Sequence, residues 1–139
     1  MTEQDLWRYR DTLQRMQAAS ERLREYESTL LSPASPNLGA VGGHTYRTDR
    51  MAPAVSYLEK LRSEKYKAES EHWRASIVLD YVSDMMKHIS ERRVLELRYR
   101  QAKDWSDVAE ILNVARSTVF EIRLRILASI ADLDIDSIA

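Results

Sequence analysis

The chain has no cysteine among its 139 residues. That excludes disulfides, thiolate zinc sites and a cysteine nucleophile, and it suits a reducing interior. Glycine and proline are almost as scarce, with three of each. All three glycines and two of the prolines fall between Pro33 and Gly43, and the third proline is Pro53. Elsewhere nothing interrupts a helix. No stretch alternates apolar and polar residues for long, so strands are not expected. No window approaches the roughly 18 apolar residues that a membrane span needs. Met1-Thr2-Glu3-Gln4-Asp5 also lacks the basic-then-apolar pattern of a secretory signal. A cytoplasmic protein with no membrane partner is the expectation.

Hydrophobic residues make up 44% of the chain, enough for a core. The expected class is all-α: a long antiparallel helical hairpin followed by a C-terminal helix-turn-helix domain. Leu6, Tyr9, Leu13, Met16, Ser20, Leu23, Glu27 and Leu30 are spaced three and four apart within residues 3–31. Six of these eight are apolar, which marks an amphipathic helix with coiled-coil character. Residues 32–53 hold all the Gly and Pro and read as a flexible linker. Helicity resumes over residues 54–89, with Pro53 near the helix start, where its missing N–H does no harm. Leu58, Leu61, Lys65, Ala68, His72, Ala75, Leu79, Val82, Met86 and Ile89 form the second stripe. Tyr66, Trp73, Ile77 and Tyr81 widen it, which suggests more than one partner helix. Residues 1–89 are therefore expected to form a hairpin that also oligomerises, as a homodimer or a higher homo-oligomer.

Residues 90–139 are expected to form the second domain. Ser90 suits an N-cap for a helix from Glu91 to about Gln101, and Ala102-Lys103 break the pattern. Asp104 suits the cap of a helix over Trp105–Leu112, with Asp107 in its first turn. Asn113 then tolerates the left-handed conformation that a tight turn needs. A last helix starts near Arg116. Ala109 is the small residue at the helix crossing. Val108, Leu112 and Val114 supply apolar flanks, and Val119 and Ile122 point inward. An ordinary helical corner meets a few of these constraints, but a helix-turn-helix meets them all.

Such a module places the N-terminal residues of its second helix on base edges in the major groove, so the expected partner is double-stranded DNA. Arg116 would read guanine or clamp a phosphate. Ser117 and Thr118 suit phosphates. Phe120 would touch a thymine methyl or pack on the preceding helix. Glu121 could accept from cytosine, and Arg123 and Arg125 would follow the backbone. The competing reading for each arginine is a solvated surface charge. The net charge of the chain is −1. Between Ser90 and Ala131 eight Lys and Arg face six Asp and Glu, a net of +2. This small excess predicts weak binding per module, strong salt sensitivity and a benefit from pairing modules in a dimer.

Three segments carry a resemblance: Glu91-Arg92-Arg93-Val94-Leu95-Glu96-Leu97-Arg98-Tyr99, Trp105-Ser106-Asp107-Val108-Ala109-Glu110-Ile111-Leu112, and Arg116-Ser117-Thr118-Val119. Together they resemble region 4 of sigma-70-type factors, which recognises the −35 promoter element and touches RNA polymerase. The whole chain looks like the phage and prophage sigma-like regulators of the RinA and ArpU type. The resemblance implies a DNA-binding transcriptional regulator, with RNA polymerase as a further partner. It places Arg98 and Arg100 near the DNA backbone and Arg116, Ser117, Phe120 and Glu121 on the recognition surface. Two positions depart from the pattern. Ala115 stands where Ser or Thr usually caps the recognition helix, a loss of about 1 kcal/mol. Phe120 stands where a basic or polar residue is common. No segment resembles the part of a sigma factor that melts DNA.

Two other roles fit an all-α chain of this kind: the DNA-binding small subunit of a phage packaging terminase, and a protein-interaction module that binds no DNA. Catalysis, a metal and a cofactor are not expected. His44, His72 and His88 are scattered without ligand spacing, and Gly42-Gly43 lacks the Lys and the strand-helix context of a phosphate loop. His72 reads as a polar residue tolerated at a helix seam.

Overall fold

The computed structural model describes residues 1–31 and 44–138. All its regular elements are helical: α1 (Glu3–Leu31), α2 (His44–Met85), α3 (Ile89–Val94), a π-helical segment (Leu95–Arg100), α4 (Trp105–Leu112), α5 (Arg116–Ile130) and α6 (Ile135–Ile138). They form two compact units. One is Gln14–Ser70, and the other is Met1–Leu13 with Glu71–Ala139. Residues 1–89, expected as a single region, are therefore divided between the two.

In the unit Gln14–Ser70, α1 and α2 pack antiparallel. Arg22 pairs with Glu64 at 3.7 Å and Glu27 with Arg62 at 3.6 Å. The rings of Tyr26 and Tyr57 meet edge to face, 4.7 Å apart. Leu23, Leu61 and Ala68 are buried between them. All eight stripe positions of α1 are buried or half-buried. On α2 the first stripe turns inward as far as Met86, whereas Tyr66, Trp73 and Tyr81 of the flanking stripe stay exposed. Ile89 leaves the stripe and is also exposed, because α2 ends at Met85 and the helical register is lost.

The expected linker is corrected at its second half. Residues 44–53 belong to α2, which carries Pro53 inside it rather than at its start. From His44 to Ala52 there is neither Gly nor Pro. One proline removes a single donor and crowds one turn, while helix propagation on both sides is cooperative. Residues 32–43 lie outside the described residues.

In the other unit, Leu6 of α1 and Leu79 and Val82 of α2 join Val94, Tyr99, Val108, Val119 and Ile126 in one buried cluster. His72 sits at the rim of this unit. The Thr12 hydroxyl lies 2.6 Å from the Arg8 carbonyl and 3.1 Å from His72 Nδ1. The hydroxyl has one proton, which goes to the carbonyl, so Nδ1–H donates to the hydroxyl oxygen. Burial, reinforced by the Arg100 cation, lowers the His72 pKa and favours the neutral ring. This agrees with the seam residue expected from sequence.

The helix expected from Glu91 starts two residues earlier. His88 holds the extended N-cap position, without a side-chain cap bond, and Ser90 lies inside the first turn. The second half of this helix widens to π geometry. Gln101 N–H donates to Glu96 at 3.0 Å, five residues back, and Lys103 N–H to Leu97 at 3.0 Å, six back. Ala102 closes it in the left-handed region, with φ 57°. A β-carbon there costs about 1–2 kcal/mol, which glycine avoids. Ala102→Gly is therefore expected to raise stability by about 0.5–1 kcal/mol after the gain in unfolded-state entropy. Ala115→Ser, which restores a cap oxygen, should add about 1 kcal/mol. Urea unfolding curves of the two variants check both values.

Candidate functional site

The α4–α5 corner depends on one residue. Asn113 adopts φ 55° and ψ 47°, the left-handed conformation. Its N–H donates to Glu110 and the N–H of Val114 donates to Ala109, both at 3.1 Å. These two bonds satisfy carbonyls that the end of α4 would otherwise leave open. Asp104 takes the N-cap position of α4, but its side chain makes no cap bond. Ala115 takes the same position before α5 and has no oxygen to offer. Its carbonyl instead accepts from Thr118 at 3.0 Å and Val119 at 3.2 Å.

Val108 and Ala109 of α4 and Val119 and Ile122 of α5 are all buried, as their spacing requires. Leu112 is half-buried. Val114 differs from expectation: it is exposed rather than flanking the turn from inside. The outer face of α5 then shows Arg116, Ser117, Phe120 and Glu121 exposed, with Thr118 half-buried. Phe120 does two things at once. It packs 5.5 Å from the Trp105 ring and keeps an exposed edge, with the Arg116 guanidinium 5.6 Å over it. Arg125 is half-exposed and lies 3.9 Å from the buried carboxylate of Glu91.

Arg98, Arg100 and Arg123 sit elsewhere. The Arg98 guanidinium is layered between Trp7 at 4.8 Å and Trp105 at 4.7 Å, and donates to the Lys103 carbonyl at 2.8 Å. Arg100 lies over the Tyr9 ring and pairs with Asp80 and Glu96, both at 2.7 Å. Arg123 meets Glu3 through Nε at 3.0 Å and also through Nη2. The same Glu3 carboxylate accepts from the Tyr99 hydroxyl at 2.9 Å. All three cations are thus held by intramolecular partners.

Sequence reasoning missed Glu3, Trp7, Asp80 and Trp105 as members of this cluster. No local signal marks Glu3 or Asp80, since each is one carboxylate among many on a helix. The Arg123 guanidinium, with the Tyr99 hydroxyl, holds the Glu3 carboxyl below its usual range against the opposing effect of burial. Burial and the neighbouring Glu3 carboxylate push the Tyr99 phenol well above its usual value. No metal-binding cluster of His, Asp and Glu occurs among the described residues. No described helix is long and apolar enough to cross a membrane. The chain matches no family model, no curated protein and no solved structure.

The lowered Glu3 pKa fixes a sign. The folded state holds this proton less tightly than the unfolded state, so the carboxylate contributes stability above the ordinary value of 4.5. That contribution disappears as pH falls through the folded pKa. Glu3→Gln should therefore lower the melting temperature at neutral pH. The difference from wild type should close as pH falls below the ordinary carboxylate range, as read by thermal melts across a pH series.

Proposed function

We propose that α4 and α5 act as a helix-turn-helix that docks α5 in the major groove of duplex DNA. The chain then serves as a sequence-specific transcriptional regulator of phage or prophage type, working in the cytoplasm. One observation carries this reading. The left-handed Asn113 turn joins two helices whose inner residues are buried, while the first turns of α5 present Arg116, Ser117, Phe120 and Glu121 outward. A recognition helix contacts base edges with the outward side chains of its N-terminal turns, and these residues hold those positions.

Arg116 is the leading base or phosphate contact, because it is exposed and its guanidinium lies over the Phe120 ring. Ser117 and Thr118 would meet phosphates at the positive end of the α5 dipole. Arg125 would meet the backbone. In this role Arg98 and Arg100 hold the module together instead of touching DNA, since Arg98 bonds the Lys103 carbonyl between two tryptophans and Arg100 pairs with Asp80 and Glu96. RNA polymerase is a further proposed partner. No catalytic step or cofactor is part of the role.

Few free cations mean weak binding by one module, so the acting species is proposed to be a homodimer. The exposed Trp73 and Tyr81 on α2 support self-association. Selection from a random duplex pool should recover a motif. Arg116→Ala should weaken binding to that motif by about 1–3 kcal/mol and relax one position of it. Recovery of no motif would leave the interaction-module reading in its place. Light scattering after size exclusion should give a dimer at micromolar concentration. A strict monomer would overturn the dimer, and a large ring would point to a packaging subunit.

A further inference from the structure

Arg123 lies on α5 seven residues after Arg116, so the two point to the same side of the helix. One of the two edges of its guanidinium, Nε with Nη2, matches two oxygens of a single anion. Glu3 occupies that edge with both carboxylate oxygens. A DNA phosphate that took Arg123 by this edge would have to displace Glu3. We propose that Glu3 is an intramolecular substitute for a DNA phosphate, so that α1 docking and duplex binding compete for Arg123. The inference rests on the duplex-DNA reading of α5 given above and adds a regulatory contact to it.

Three features make the contact exchangeable. Both side chains keep solvent access, 29% for Arg123 and 27% for Glu3, so a phosphate can approach the pair. Partly exposed ion pairs contribute little net free energy and are screened by salt. Glu3 is the first residue of α1, and its side chain can swing off Arg123 by its own rotations while the Met1 ammonium keeps the helix start on the Leu133 carbonyl at 2.7 Å. Arg123 also lies 6.0 Å from the Trp105 ring, which keeps the guanidinium in place after Glu3 leaves. Tyr99 sets the opposing force: once Glu3 is displaced, the buried hydroxyl loses its acceptor. The latch therefore closes again when DNA is absent.

The test compares full-length wild type with Glu3→Gln, using fluorescence anisotropy on a random-sequence duplex across a salt series. Glu3→Gln should bind roughly two- to fivefold tighter. Its salt slope should be steeper by about 0.9, the value for one added phosphate contact. Asp11→Asn removes the same charge from an exposed site on the same helix and should change affinity less. In an Arg123→Gln background, Glu3→Gln should bring no gain. Glu3→Asp, with the charge kept on a shorter stem, should fall between wild type and Glu3→Gln, and circular dichroism verifies that each variant is folded. Equal or weaker binding by folded Glu3→Gln would overturn the latch and make Glu3 a residue that orients Arg123. A gain matched by Asp11→Asn, or one that persists without Arg123, would also overturn it. If neither wild type nor Glu3→Gln binds duplex at low salt, the DNA reading itself fails and the latch falls with it.

Discussion

The hydroxyl of Tyr99 must find an acceptor. The side chain is completely buried, and a buried hydroxyl without a partner costs about 1–3 kcal/mol. Glu3 supplies the acceptor, which brings a carboxylate to the edge of the core. That carboxylate in turn needs a cation, and Arg123 provides it. One requirement of one phenol thus ties the start of α1 to the π segment and to α5. The aromatic neighbours follow the same arrangement. Trp7 meets Tyr99 edge to face at 5.2 Å, and Trp105 does so at 6.5 Å. Arg98 fills the space between the two tryptophans.

This network has a consequence for electrostatics. The excess of Lys and Arg over Asp and Glu in residues 90–131 is only two. Arg98, Arg100 and Arg123 all sit in internal contacts, and Arg92 bonds the Met86 carbonyl. The outward positive charge of α5 narrows to Arg116 and the loosely paired Arg125, with Glu121 opposing them. A face with so few cations gains little from phosphate attraction alone. Groove complementarity, a second copy and release of a held arginine are the ways such a face can gain affinity. The proposed dimer and the proposed Glu3 latch are answers to the same shortage.

Much of the corner was legible because its constraints are local. Asn113 at the turn, Ala109 at the crossing, and Val119 and Ile122 facing inward follow from helix periodicity and from which residues tolerate positive φ. Ala115 was legible as a cap position without a cap oxygen. The stripes of α1 and α2 were legible for the same reason. Three features were not. The π widening of Leu95–Arg100 leaves no periodic trace in six residues. The continuation of α2 back to His44 depends on cooperativity across Pro53, which local breaker rules do not weigh. The arginine partners lie far away in sequence, up to 120 residues for Arg123 and Glu3.

By itself, the sequence determined an all-helical chain, the positions of its apolar stripes and the geometry of the Asn113 turn. Each of these is set by backbone preference and by spacing within a few residues. Only the tertiary structure decided which arginines are spent inside the protein and which face outward. A guanidinium looks the same in any sequence. Its role depends on whether a carboxylate, a carbonyl or an aromatic ring from a distant segment arrives within reach, and for Arg98, Arg100 and Arg123 one does.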